Sequence, residues 1–182
     1  MLSVLLLFLI SACRPWNYEE GTATDTAASP VMIMAAGAEI PLAVRATEEK
    51  KSDQKVRQAQ YKAIIEQQGA GDIPYVQLGE IIEFSLEEKI DAGYELTDVL
   101  LMPDGSYKYI MPDNDSGIVE INGGAGSFKL GINPAAFLSS NTADYEPGAI
   151  LRGFVLTGVK AGEQREIFFV LRTDAGTIGL SL

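Results

Sequence analysis

From Asp72 onward the chain breaks into short segments bounded by Gly, Pro, Asn and Asp, a punctuation that leaves no stretch long enough for a substantial helix. The clearest segment is Glu80-Ile-Ile-Glu-Phe-Ser-Leu86, in which Ile82, Phe84 and Leu86 alternate with Glu83 and Ser85. Period-two alternation places the apolar set on one face of an extended strand. Residues 96–102 and 106–111 flank Pro103-Asp104-Gly105, which are turn formers, so these two runs are expected to form a hairpin. Further strands are expected at 118–121, 127–132, 149–159, 166–172 and 177–182, with Lys160-Ala-Gly-Glu-Gln164 turning between two of them. Asn133-Pro134-Ala-Ala-Phe-Leu138 suits a single helical turn, with Asn133 as cap and Pro134 in the first position.

About seven or eight strands within about 110 residues, spaced about 8–12 apart, is the pattern of an antiparallel β-sandwich of immunoglobulin-like type, and a small barrel uses the same spacing. The expected class is therefore mainly β with one N-terminal helix. That helix is read over residues 53–68, in a charged stretch opened by Thr47-Glu48-Glu49 and ended by Gly69. Thr47 is the expected cap and Val56, Ala59, Ala63 and Ile64 the expected buried stripe. Ahead of it, Val31-Met-Ile-Met-Ala-Ala36 and Ile40-Pro41-Leu-Ala-Val44 read as one broken strand or two edge strands, because Pro41 cannot serve a central ladder.

One pair of strands carries too much apolar surface for a single core. Ile167-Phe-Phe-Val-Leu171 is apolar on both faces, and Phe154, Val155 and Leu156 do the same within 150–159. A sandwich strand normally turns one side to water. The second face needs a cover, either the 53–68 helix or the 31–44 segment, or else a protein partner or an exchanged strand.

The N-terminus speaks of location. Residues 2–12 carry no charge and end in Ile10-Ser11-Ala12-Cys13, a run far shorter than the roughly 20 residues of a membrane-spanning helix. Its length suits the apolar region of a secretory signal. The order of an aliphatic residue, two small ones and a cysteine resembles the lipobox of bacterial lipoproteins, and Cys13 is the sole cysteine of the 182 residues. The resemblance implies cleavage between Ala12 and Cys13, a diacylglyceryl thioether on Cys13 and usually an acylated amine, which together give the protein a membrane anchor. Arg14, rather than Asp, follows the cysteine, and by the sorting rule of enteric bacteria this implies the outer membrane. In a host with one membrane the same anchor implies its outer leaflet. The resemblance covers residues 1–13, and only Met1, Leu2 and Ser3 precede Val4, without the usual positive charge, which leaves open whether Met1 is the true start. Residues 14–30, rich in Thr, Ala, Ser, Glu and Gly, read as a flexible tether. The expected organisation is thus 1–12 signal, 13–30 tether, 31–71 edge strands and helix, and 72–182 the β-domain.

With Cys13 lipidated no thiol remains for a disulfide, so stability must come from burial. Hydrophobic content of 47% beside 21% charged residues fits a globular domain. A net charge of −11 disfavours nucleic acid, which requires clustered Lys and Arg, and repels anionic lipid head groups. The absence of histidine from the sequence removes Ser-His-Asp and Cys-His arrangements and the usual zinc sets. The reading is non-catalytic, with a protein partner in the envelope.

Three local patterns bear on binding. Asp113-Asn114-Asp115-Ser116-Gly117 followed by Glu120 offers oxygen ligands for calcium through Asp113, Asp115 and Glu120, although no acidic residue stands at the twelfth place, Gly124, and any turn uses the same residue types. Asn122-Gly-Gly-Ala-Gly-Ser127 lacks the Lys-Ser/Thr of a phosphate loop and reads as a flexible inter-strand loop. Tyr75, Tyr94, Tyr107, Tyr109 and Tyr145 are candidates for a sugar-stacking platform, against a sheet-stabilising role. The competing functional classes are accordingly a pilus or fimbria subunit that donates the 31–44 strand, and a calcium- or carbohydrate-dependent adhesion module.

Overall fold

The computed structural model describes residues 31–47, 51–69, 71–87, 91–109, 115–160 and 163–176. Cys13, the tether, Asp113 and the 177–182 segment lie outside them. In chain order the elements are β1 (Val31–Ala35), β2 (Ala38–Glu39), β3 (Leu42–Thr47), α1 (Gln54–Gln68), β4 (Ile81–Leu86), β5 (Ala92–Leu101), β6 (Asp115–Asn122), β7 (Ala125–Lys129), two 3-10 turns (Pro134–Leu138 and Thr142–Tyr145), β8 (Ile150–Lys160) and β9 (Glu163–Thr173). The nine strands form one antiparallel sheet in the order β2-β1-β4-β7-β6-β5-β8-β9-β3.

That sheet is curled into a half-barrel. β4 and β9 stand five strands apart in it, about 24 Å if it were flat, yet the Phe84 and Phe169 ring centroids lie 5.9 Å apart, edge to face. Phe128 stacks on Phe84 at 5.7 Å and Phe154 on Phe169 at 4.9 Å, and Phe128 meets Phe154 at 5.9 Å. Four aromatic rings thus bridge the two halves of one sheet, with Ile33, Ile82, Leu96, Ile121 and Leu171 buried around them. The alternation in β4 is as expected: Ile82, Phe84 and Leu86 face this core and their neighbours face out.

Where two separate sheets of an immunoglobulin-like sandwich are expected, one continuous sheet is found, and two local features account for the difference. β6 and β7 pair at just Ile121↔Gly126 and Asn122↔Ala125, so the sheet turns from one half into the other at this hairpin without losing its ladder. Gly123 and Gly124 both have positive φ (59° and 84°), as a two-residue hairpin loop demands. A Cβ on Gly126 would stand 2.4 Å from Ile121 Cδ1 and 2.7 Å from the Glu120 carbonyl oxygen, so only glycine fits the crossing. The 122–127 run is therefore a tight turn, where a flexible loop is expected from its composition.

The second feature lies at the edges. β2 and β3 end the sheet at opposite sides, yet only Ile40 and Pro41 separate them in sequence. Ile40 donates its N–H to the Ile33 carbonyl (2.8 Å) and buries its side chain, while Pro41, lacking an N–H, ends the ladder between the two edges. Strands from both sides of residue 71 share the one sheet, since β1 pairs with β4 and β3 with β9. The 31–44 segment is paired within its own chain on both sides of Pro41, with Ile33 fully buried, and is not a free strand in this fold.

Helix α1 covers the outer face of the doubly apolar strands. Tyr61, Ile64 and Ile65 pack over Val155, Phe168 and Val170, with Tyr61 edge-on to Phe168 at 5.7 Å. Gly153 makes room, since a Cβ there would come within 2.9 Å of the Tyr61 ring. The buried stripe is Arg57, Tyr61, Ile64 and Ile65, whereas Ala59 and Ala63 are exposed and Val56 is half-buried. The large tyrosine, which ranks as polar in a sequence pattern, buries more apolar area than two alanines and sets the face. The cap is Asp53, whose carboxylate accepts from the Val56 N–H at 2.9 Å; Thr47 belongs to β3. Gly69 ends the helix as expected, with φ of 83° and its N–H on the Ile65 carbonyl.

The lead-in to α1 is fixed by a buried charge. Glu166 on β9 is fully buried and accepts hydrogen bonds from the Ser52 N–H (2.8 Å), the Ser52 hydroxyl and Arg45 Nη1 of β3 (3.3 Å). An isolated carboxylate would not tolerate that position; three donors make it stable there.

Phe169→Ala should lower unfolding free energy by about 3–5 kcal/mol in urea titrations, as truncation of a core aromatic does. Ala63→Lys, on the exposed side of α1, should change it by no more than about 0.5 kcal/mol; the reverse ranking would contradict the assigned faces.

Candidate binding surface

Two kinds of site stand on this scaffold, an interior clamp and an exposed groove. The clamp sits on the inner face of β5 and β8. Arg152 donates through Nε to Asp98 Oδ1 (3.1 Å), through Nη2 to Asp98 Oδ2, and through Nη1 to the Gly131 carbonyl (2.7 Å). Its guanidinium lies 5.0 Å over the Phe154 ring. The adjoining cleft, about 290 Å³, is lined among others by Phe128, Lys129 and Asn133. With both carboxylate oxygens and three guanidinium nitrogens engaged, the pair joins the strands to the loop after β7 and leaves little free for chemistry. Sequence reasoning passed over both residues, although each is a lone charge inside an apolar strand run, which is the signal for a paired buried ion.

The groove lies on the outer face, where α1 does not reach. β6 is its axis: Ile118 is 70% exposed and lines both a depression of about 710 Å³ toward β1, β4 and β7 and one of about 1080 Å³ toward β5, β8 and β9. The residues that pave it are small, namely Ala92, Gly93, Gly117, Ala125, Gly126 and Ser127, so the sheet surface is low there. Met32 and Val159, 45% and 67% exposed, add apolar area. Glu83 and Glu120 line the first depression and have no salt-bridge partner among the described residues, while Lys51, in the second, pairs with Glu95. The surface can hold an apolar group between carboxylates.

The residues picked out from sequence are scattered. Asp113 lies outside the described residues, and Glu120 sits five residues beyond Asp115 along β6, on the order of 15 Å away at the rise of a strand. The strand thus spaces these two positions apart along β6, and among the described residues no group of three or more acidic side chains gathers as a metal site. The tyrosines do not form a platform. Tyr94 is buried in the core, Tyr107 packs 6.4 Å from Tyr61, Tyr145 donates to the Ser139 carbonyl, and Tyr75 donates to Asp174, whose carboxylate raises the phenol's pKa. Asp144 was also missed; it accepts from Lys108 and the Ser139 hydroxyl, and these hydrogen bonds, that of Lys108 first, hold its carboxyl below the usual carboxylate value.

Among the described residues no helix is long and apolar enough to cross a membrane. The chain matches no protein-family model, no curated protein and no solved structure.

Asp98→Ala should destabilise the fold by about 3–5 kcal/mol, because Arg152 is left buried without its partner, and a joint Asp98→Leu, Arg152→Met change should restore most of that loss. Equal loss in the single and double variants would show that the pair itself stabilises. For Asp144 the depressed folded-state value means a contribution fully present above the unfolded carboxylate value and lost as pH falls through the folded one. The melting temperature of Asp144→Asn should accordingly fall below that of the parent at pH 7, with the gap closing as the pH drops below the carboxylate range.

Proposed function

We propose that this protein is a lipid-anchored lipoprotein of the bacterial cell envelope whose folded part is a non-catalytic binding or assembly module. The observation that carries the proposal is Ile10-Ser11-Ala12-Cys13 at the end of an uncharged apolar run, with no second cysteine in the chain. Cleavage before Cys13 leaves 17 residues, 14–30, between the lipidated residue and β1. Such a tether reaches at most about 60 Å when fully extended. It can hold an acidic domain away from anionic head groups, and the acyl chains then supply the membrane contact. By the sorting rule of enteric bacteria, Arg14 after the cysteine supports an outer-membrane location in a two-membrane host.

The module reading rests on what the surface offers. The clamp residues are engaged with one another, and an accessible feature is the groove along β6, which sets apolar side chains beside carboxylates and suits holding a partner.

Intact-mass spectrometry of membrane-extracted protein beside a Cys13→Ser variant tests the anchor. The parent should lack residues 1–12 and carry the mass of a diacylglyceryl group plus an amide-linked acyl chain, and the variant should retain its leader. A parent mass with Met1 retained, or cleaved without added acyl chains, would overturn the proposal.

A further inference from the structure

We propose that the groove along β6 is a docking site for an extended, lysine- or arginine-bearing segment of a partner protein, which lies beside β6 and sets an apolar side chain against Ile118. This deepens the binding-module reading, and the surface exists whether or not Cys13 is lipidated.

Three observations converge on that occupant. The first is the backbone of β6. Asn122 and Ala125 close a two-residue hairpin, which fixes the alternation of the strand, so Ile118 directs its N–H and C=O away from β5, toward the side where β7 has already departed. From Gly117 to Glu120 the sole ladder neighbour among the described residues is β5. An extended chain can take up the Ile118 groups, as in recognition by strand addition.

The second is the relief of the surface. Glycines, alanines and a serine leave the outer face low on both sides of Ile118, so an apolar side chain from an added segment can sit between Ile118 and Met32. An isoleucine exposed to 70% in a depression is an unfilled contact rather than a scattered surface residue.

The third is charge, which chooses among occupants. Glu83 and Glu120 flank the depression, and among the described residues neither has a salt-bridge partner. A second copy of this chain would bring the same carboxylates and its own −11 charge to the contact, and an anionic lipid surface would be repelled likewise. A segment carrying Lys or Arg two residues to either side of its apolar residue, and so on the same face, is attracted, and electrostatic matching selects it from other extended chains.

The test uses the full-length chain as isolated from cells, labelled with ¹⁵N, and two capped five-residue peptides, Lys-Thr-Val-Thr-Lys and Glu-Thr-Val-Thr-Glu, whose charged side chains share the valine's face in an extended chain. The lysine peptide should shift the amide signals of 117–120 and slow hydrogen exchange at the Ile118 N–H, and the glutamate peptide should do neither. Glu83→Gln with Glu120→Gln, both on exposed positions, should weaken the lysine peptide about tenfold at low salt, as loss of two exposed charge contacts implies. Ile118→Asp should abolish the response. Unchanged affinity in the double variant, signal changes confined to other strands, or a peptide-free dimer that protects the Ile118 amide would each overturn the assignment. None of these outcomes depends on the mass at Cys13, so failure of the groove and failure of the anchor are separable.

Discussion

The core of this protein is made by a sheet meeting itself. A nine-stranded sheet with an apolar face cannot remain flat in water, and among the described residues there is no second sheet to cover it. Phe84, Phe128, Phe154 and Phe169 come from β4, β7, β8 and β9, and their mutual contacts require the sheet to bend until its ends face each other. The bend needs a corner at which the two halves stay joined, and Gly123, Gly124 and Gly126 supply it. It also needs a chain that spans the opening, and Ile40-Pro41 carries the backbone from one edge of the sheet to the other. Every other element is placed by these contacts.

Once the sheet is curled, β8 and β9 lie with one face in the interior and the other outside, and both faces are apolar. Helix α1 resolves the outer one, held at its start by Ser52 on the buried Glu166 and along its length by Tyr61 on Phe168. The helix is 15 residues long, about 22 Å at the usual rise, and cannot cover the whole outer surface. The remainder, around β6, is left with small residues, Ile118 and two carboxylates. The division of labour follows: burial and internal clamps fix the scaffold, and the uncovered outer face is where another molecule can be held.

Much of this was legible in the residues. β4, β8 and β9 announce themselves by alternation or by continuous apolar runs, the 134–138 turn by Asn133-Pro134, and the need for a cover over 167–171 by its two apolar faces. Three things were not legible, for physical reasons. Register and curl depend on pairings as distant as β3 with β9, which no local pattern encodes. The helix stripe was misplaced because Tyr61 and Arg57 bury long side chains that a polar label hides, and Thr47 and Asp53 are equally good caps until the tertiary fold chooses. Asp98 and Arg152 stand as lone charges inside apolar strand runs, but their partners, like those of Glu166, lie 54 to 121 residues away and are named only once the fold brings them together. The groove was invisible for the opposite reason, since small residues mark it by what they leave empty.

The curl of one sheet onto its own inner face is the claim on which both the core and the groove rest, and contact between β4 and β9 tests it most directly. A nuclear Overhauser spectrum of protein with protonated phenylalanine rings in a deuterated background should show cross-peaks between the rings of Phe84 and Phe169, whose centroids lie 5.9 Å apart. Well-resolved signals for both rings without that cross-peak, in a protein whose β4–β7 and β8–β9 amide contacts are intact, would show an open sheet and contradict the account.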